Sequence, residues 1–297
     1  MRRHFVHFLW GSLLAILGLV FVFFISVWNG WVGYMPDMDE LSNPIDKFAS
    51  QVYSSDQQLI GTWNADNNNR VAIDYNGLSP HLVHALVATE DERFYEHSGV
   101  DFIALGRAVV KRGVMGQASA GGGSTITQQL AKQLFSEKAH STVERLLQKP
   151  IEWIIAVKLE RYFTKEEILA MYFNYFDFLH NAVGIKRAAN VYFNKEPRKL
   201  TVTESAMLVG LCKNPSMFNP LRHPERCLQR RNVVLMQMVK SGYVTKDEYK
   251  ELSQRPLGLH FTRSKPVSGA GDYFQAFLRQ YMMAKKPERE NYQSWQN

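Results

Sequence analysis

Hydrophobic and polar positions along the chain fall into three rhythms. From Phe5 to Trp28 nearly every residue is apolar, with His7, Ser12 and Ser26 as the polar interruptions. A helix of that length spans the ~30 Å hydrocarbon core of a bilayer. Residues 51–76 then carry short strand-like pieces (Gln51-Val52-Tyr53, Leu59-Ile60 and Val71-Ala72-Ile73) separated by polar turns such as Asn67-Asn68-Asn69. These predict a small β-hairpin leading into the main domain. From Ser79 onward the period is helical. Ser79 followed by Pro80 reads as an N-cap and a favoured first helical residue. Further helices are expected at about 102–112, 125–136, 142–162, 164–174, 182–191, 201–211, 224–241 and 245–252. The fold class is therefore mainly α, with one hairpin, preceded by one transmembrane helix. The chain shows no internal repeat and no low-complexity tract.

This pattern divides the chain into residues 1–4, a membrane anchor at 5–28, a juxtamembrane connector at 29–50, a helical domain at 51–260 and a tail at 261–297. The tail carries one possible helix around Tyr273 to Met283. Arg2 and Arg3 precede the apolar run. By the positive-inside tendency they hold the N-terminus in the cytoplasm and place the rest on the far side of the membrane. A cleaved signal peptide would have a shorter apolar region and a small-x-small cleavage site, which is missing near Trp28 to Tyr34. Trp28 and Trp31 suit the outer interface.

Charge and cysteine content add less. The net charge of +7 over 297 residues asks for an anionic partner. An outward-facing domain makes that partner anionic lipid or lipid-linked phosphate rather than nucleic acid. Cys212 and Cys227 are compatible with a disulfide or with two free thiols, and neither their number nor their spacing suggests a metal site.

Three polar clusters carry candidate chemistry. In the first, Glu90-Asp91-Glu92-Arg93-Phe94-Tyr95-Glu96-His97, Leu82, Leu86 and Glu90 are spaced by four, so Glu90 falls on the apolar stripe of its helix. A carboxylate there is partly desolvated, a setting suited to a general base. In the second, Gly121-Gly122-Gly123-Ser124-Thr125 precedes Ile126 and an amphipathic helix. Thr125 with Gln128 fits a capping box, and the helix N-terminus would offer N–H groups to an anion. Ile126, Leu130 and Leu134 form its buried stripe, with Thr125, Gln129 and Lys132 on a polar face. No lysine follows the glycines where a nucleotide P-loop needs one. In the third cluster, Gln148-Lys149-Pro150-Ile151-Glu152, Lys149 and Glu152 are helical neighbours, Arg145 lies one turn earlier, and Pro150 should kink the helix or start a new one.

These blocks, with Lys165 through Asn174 and Gly184 through Phe193, resemble in order the five motifs of the family 51 glycosyltransferases. That family comprises monofunctional peptidoglycan transglycosylases and the N-terminal half of class A penicillin-binding proteins. The resemblance runs across roughly residues 52–220 and implies a lysozyme-like, mainly helical glycosyltransferase domain. It implies that Glu90 is the catalytic base and Glu152 the second acidic residue, positioning substrate or a divalent ion (Mg or Mn). Substrate contacts would come from Asp91, Phe94, His97, Ser124, Thr125, Gln129, Lys132, Gln133, Arg145, Gln148, Lys149, Tyr172 and Asn174. The implied partners are lipid II, the growing glycan strand, membrane lipids and other cell-wall synthesis proteins. The stretch Phe102 to Arg112, apolar but flanked by lysine and arginine, corresponds to a segment that dips into the bilayer.

One departure matters. The family has Arg-Lys where this chain has Gln148-Lys149, and Gln148 cannot neutralise charge. Arg145 or a metal ion is the expected compensation. Gln133, where several relatives have asparagine, is a minor difference. No Ser-x-x-Lys or Lys-Thr-Gly motif occurs in the chain, so penicillin-sensitive crosslinking is not expected of it. The segment from Tyr273 to Pro287 resembles the link to a transpeptidase domain. Two other functions compete: a lysozyme-like glycan hydrolase, and a catalytically silent scaffold motivated by Gln148.

Overall fold

The computed structural model describes residues 2–37, 41, 50–53, 55–56, 59–63, 71–113, 123–136, 142–262 and 277. The chain opens with helix α1 (Arg2–Trp28), long and apolar enough to cross a membrane. Strands β1 (Ser50–Tyr53) and β2 (Leu59–Trp63) pair antiparallel, Ser50 opposite Trp63, with a register shift between Val52 and Tyr53. The third expected piece, Val71 to Ile73, is not a strand. Ile73 instead gives its backbone to a side chain: its N–H donates to Asn174 Oδ1 (3.2 Å) and its carbonyl accepts from Asn174 Nδ2 (2.8 Å). The Asn67–Asn69 turn, Gly121, Gly122 and all but one residue of the tail helix lie outside the described residues.

The remaining elements are helical: α2 (Pro80–Glu90), α3 (Phe102–Gly113), α4 (Ile126–Phe135), α5 (Thr142–Tyr162), α6 (Lys165–Tyr175), α7 (Ile185–Phe193), α8 (Val202–Lys213), α9 (Pro224–Lys240) and α10 (Lys246–Gln254). Short 3₁₀ turns join them at Tyr75–Gly77, Phe94–Glu96 and Pro197–Lys199. Capping boxes at Thr164/Glu167, Thr201/Glu204 and Thr245/Glu248 start α6, α8 and α10, each satisfying two orphan N-terminal groups reciprocally. Ser79 sits at the cap of α2, but its hydroxyl donates to the Leu200 carbonyl (3.0 Å), which ties that helix start to the far end of the domain.

Two groups of helices form the body. Helix α8 is apolar on nearly every side and is buried from Glu204 to Cys212, the signature of a central helix. It packs on α2 and α9, which also pack on each other. The second group is α4 packed on α5 and α6. Tyr172, Phe173, Phe178, Tyr192 and Phe193 fill the core with almost no exposed surface.

Two sequence expectations change. Helix α5 is one helix from Thr142 to Tyr162, so no new helix starts at Pro150. The proline removes one backbone donor, but the flanking turns are held by packing, since Ile154, Ile155 and Leu159 are buried against the core. Helix α7 begins at Ile185, three residues later than the periodicity suggests. Leu179, His180 and Asn181 have φ of 65°, 54° and 61°, and Gly184 has φ 82°. This left-handed run makes a tight loop closed by Phe178 N–H to the Ala182 carbonyl (3.0 Å) and by the Asp177–Val183 bridge.

Helix α1 docks on α5. Val27 is fully buried, and the Phe24 and Trp153 rings stack with centroids 6.4 Å apart. Lys158 Nζ lies 5.0 Å and the Arg161 guanidinium 5.9 Å from the Trp28 ring centre. Burial draws the Lys158 ammonium below its ordinary pKa.

Gly99 sits directly against the backbone of α5. Its φ is 92°, and a Cβ there would meet the Ala156 backbone of α5 at 2.8 Å. Gly99→Ala should therefore cost about 2–3 kcal/mol, a thermal midpoint lowered by roughly 5–10 °C. An unchanged midpoint in a scanning-calorimetry comparison would show that the loop can retreat from α5.

Candidate active site

The two helix groups leave a cleft of about 520 Å³ between them. Glu90 at the C-terminal end of α2 and Cys212 and Lys213 at the end of α8 form one wall. Gln128, Gln129, Lys132 and Gln133 of α4, with Lys149 and Glu152 of α5, form the other, and Ser124 and Phe176 complete the lining. The three lysines outnumber the two glutamates, which leaves the cleft suited to anions.

Glu90 is held from two sides. Gln129 Nε2 donates to its Oε2 (3.0 Å), and Arg230 Nη2 of α9 lies 3.3 Å from its Oε1. Behind Gln129, the buried Tyr172 hydroxyl donates to Gln129 Oε1 (3.1 Å), so the amide is oriented with its N–H towards the carboxylate. Burial raises the Tyr172 phenol well above its ordinary pKa, which keeps it a neutral donor. Burial lowers the Arg230 guanidinium, and the charge of Glu90 works against that. Each oxygen of Glu90 keeps a further lone pair for a substrate hydroxyl.

Glu152, only 3% exposed, accepts from Lys149 Nζ at 2.7 Å, and the same ammonium donates to Ser124 Oγ at 3.3 Å. Lys149 remains nearly half exposed and can turn to an incoming anion. A recess of about 60 Å³ on the other side of Glu90 is lined by Asp91, Arg93, Asp101, Arg107, Ser124 and Thr125, among others.

The candidate residues thus divide by placement. Glu90, Ser124, Gln129, Lys132, Gln133, Lys149 and Glu152 meet in one cleft. Asp91, Phe94, His97, Thr125, Tyr172 and Asn174 are outside its lining; Asp91, Thr125, Tyr172, Asn174 and His97 Nε2 are hydrogen-bonded within the protein, while His97 Nδ1 is buried without a partner among the described residues. Asp91 accepts from His97 Nε2 (3.0 Å) and from the Ile126 N–H (3.0 Å). Thr125 donates to the Gly99 carbonyl (2.6 Å) and accepts from the Gln128 N–H (3.1 Å). Two of the N-terminal N–H groups of α4 expected to face an anion, those of Ile126 and Gln128, are consequently spent on Asp91 and Thr125. Only half of the expected capping box forms there, because the Gln128 side chain turns to the Gly99 carbonyl (3.5 Å).

Arg145 is exposed and outside the lining of the cleft. Gln148 lines a neighbouring cleft, so neither takes the position expected for a compensating charge in the main one. Sequence patterns missed Arg230 and Lys213. Arg230 is 140 residues from Glu90, a distance that no motif spacing reports.

A helical domain with two glutamates and a surplus of lysines in one cleft is suited to acid–base chemistry on an anionic substrate. The transglycosylase family profile matches residues 56–239, more than half of the chain. The chain is 37% identical over 279 residues to penicillin-binding protein 1A of Aquifex aeolicus, covering 94% of this chain and 36% of that protein. It is 36% identical over 248 residues to penicillin-binding protein 1A of Escherichia coli (84% and 28%) and 34% identical over 269 residues to penicillin-binding protein 1F of Bacillus subtilis (91% and 35%). The chain belongs to the transglycosylase family, the family 51 glycosyltransferases, and spans about a third of the length of these relatives. The crystal structure of Haemophilus influenzae penicillin-binding protein 1A matches 82% of this chain and 25% of that one at 23% identity and a TM-score of 0.41, a likeness too slight to bear on the fold.

Both cysteines are free and buried. Burial pushes the Cys212 thiol far above the usual range and Cys227 up to about 12. Since only thiolate reacts with aromatic disulfide reagents, neither should be labelled between pH 7 and 9 in the folded protein, and both should react at once in denaturant. Prompt labelling of native protein, or loss of both thiols to a disulfide, would contradict this arrangement.

Proposed function

We propose that this chain polymerises lipid II into glycan strands. Glu90 acts as general base, removing the proton of an acceptor GlcNAc 4-hydroxyl as that oxygen attacks the anomeric carbon of the donor MurNAc. The donor leaves as undecaprenyl pyrophosphate and the anomeric centre inverts. The observation that carries this reading is the single cleft in which Glu90, Glu152 and a surplus of lysines meet. A pyrophosphate leaves with growing negative charge, which cations stabilise without protonation. A glycan hydrolase would instead need a protonated carboxyl at its leaving group.

Gln129 and Arg230 fix the Glu90 carboxylate, which serves a base that must meet one hydroxyl. Lys149, Lys132 and Ser124 receive the pyrophosphate, and Glu152 holds Lys149 ready. A divalent ion would find a single protein carboxylate at Glu152, already accepting from Lys149. Among the described residues no group of three or more His, Cys, Asp or Glu side chains could hold a metal. The other ligands would then be substrate and water oxygens, and the ion would add positive charge beside the pyrophosphate.

The catalytic domain lies on the outer side of the cytoplasmic membrane, anchored by α1, with anionic lipids and other cell-wall synthesis proteins as neighbours. Gln148 lines a different cleft from Glu90 and Lys149, so the missing arginine charge does not favour a silent scaffold. We assign no crosslinking activity to these 297 residues.

With labelled lipid II and detergent-solubilised protein, the parent should form glycan chains and Glu90→Gln should lose at least ~100-fold in rate, the scale of a general base. Lys149→Ala should lose roughly 10- to 100-fold, the scale of one hydrogen-bonding cation at a developing charge. Full polymerisation by Glu90→Gln would remove the assigned base. New reducing ends released from finished peptidoglycan would point to the hydrolase, and bound but unconverted lipid II to the scaffold.

A further inference from the structure

Two cations of α5 converge on the last residue of α1. Lys158 Nζ lies 5.0 Å and the Arg161 guanidinium 5.9 Å from the centre of the Trp28 ring. Lys158 and Arg161 are three apart on α5 and so share one of its faces. About one turn earlier on each helix, Phe24 stacks on Trp153, so α1 and α5 run side by side over this stretch. Helix α1 has 27 residues, which at 1.5 Å each makes about 40 Å. A hydrocarbon core of ~30 Å leaves the ends of such a helix among the lipid headgroups. Trp28, at the end away from Arg2 and Arg3, brings both cations to the headgroup level of the outer leaflet.

These cations have no anion. Lys158 is only 8% exposed, yet among the described residues its ammonium has neither a hydrogen bond nor an ion pair. Exposed Arg161 has none either. The neighbouring carboxylate of α5, Glu160, is taken by Thr127 and Lys165. Arg231, the other buried cation among the described residues, shows the contrast: its guanidinium donates to the carbonyls of Leu252, Ser253, Arg255 and Pro256. The Trp28 ring attracts a cation through its quadrupole but cancels no charge. Burial alone shifts the Lys158 ammonium, with no opposite charge acting on it. A buried charge without a counter-ion is costly, and two cations at one ring repel each other. One anion between them relieves both. Trp28 is 42% exposed, so the ring is open to the headgroup layer.

We propose that Trp28, Lys158 and Arg161 form a binding site for the headgroup phosphate of an anionic phospholipid. None of the three lines the catalytic cleft. The site rests on the reading of α1 as a membrane span. Arg161 forks onto two phosphate oxygens, Lys158 supplies a point charge, and the glycerol of the lipid lies against the Trp28 ring. A free phosphate ion has the same chemistry, but the level of Trp28 favours a phosphate carried by the bilayer. The headgroup is one of net negative charge, since a zwitterionic one brings its own cation. The bound lipid clamps α1 to α5, the helix that carries Lys149 and Glu152, and so ties the height of the catalytic cleft to the membrane surface.

Native mass spectrometry of the full chain in detergent, titrated with phosphatidylglycerol, phosphatidylcholine or inorganic phosphate, tests the site. Phosphatidylglycerol should bind at least ~10-fold more tightly than phosphatidylcholine. Arg161→Gln should weaken phosphatidylglycerol about fivefold and Lys158→Gln/Arg161→Gln about 25-fold, the scale of one and of two cations at an anionic surface. Phosphatidylcholine binding should not change. Arg161 is exposed, so its single variant still decides the matter if the double variant does not fold. Equal binding of the two lipids, or phosphatidylglycerol binding by Arg161→Gln as tight as by the parent, would overturn the site. Inorganic phosphate displacing phosphatidylglycerol at equal concentration would make it a free-ion site and overturn the lipid. Flotation with phosphatidylcholine vesicles after an alkaline wash separates anchor from site. Flotation without a preference for phosphatidylglycerol sinks the site and leaves the anchor, whereas the preference without flotation keeps the site and sinks the span.

Discussion

The Asp91 carboxylate is the pin on which the site depends. It accepts from the His97 ring and from the first N–H of α4, and it is 7% exposed. Through it, the turn that follows Glu90 is tied to the helix that carries Gln129 and Lys132. The same turn then passes through Gly99, whose carbonyl takes the Thr125 hydroxyl and whose missing Cβ lets it touch α5 at Ala156. Hydrogen bonds to a charged group are worth roughly 1.5–3 kcal/mol each, and losing one partner strands a buried charge. One carboxylate and one glycine thus add directional contacts between α2, α4 and α5 to those of the shared apolar core.

A second ionic cluster closes the same region from below. Glu160 accepts from Thr127 (2.6 Å) and pairs with Lys165 (2.7 Å), and Lys165 also donates to the His97 carbonyl (2.7 Å) and sits 4.2 Å from the Phe94 ring centre. Buried pairs of this kind contribute geometry more than stability, because desolvation offsets most of their attraction. Here the geometry is the consequence that matters. Phe94, His97 and Thr127 are locked behind the cleft, so the side chains on its surface can respond to a substrate while the frame stays fixed. Lys149, nearly half exposed, contacts both Glu152 and Ser124 at the cleft surface.

The division of charge across α5 links anchoring to chemistry. Its inward face presents Lys149 and Glu152, its neighbouring face lines the cleft at Gln148, and its far end carries Trp153, Lys158 and Arg161 against α1. One continuous helix thus touches α1, the cleft at Gln148 and the Lys149/Glu152 pair. The passage of α5 through Pro150 keeps these three on one helix.

The sequence alone determined the helical class, the long apolar N-terminal helix and most helix limits, because apolar periodicity and caps are local properties of a few successive residues. It also marked Glu90 and the Lys149/Glu152 pair, since helical spacing places each side chain on a face. Tertiary structure alone decided which candidates meet. The family resemblance names Thr125, His97 and Asn174 as substrate contacts, and their partners within the protein are Gly99, Asp91 and Ile73. Arg230 and Lys213 carry no motif, and only the packing of α8 and α9 on α2 brings them to Glu90. The physical reason is that a hydrogen bond or an ion pair depends on distance through space, and spacing along the chain reports that distance only within one helix or one turn.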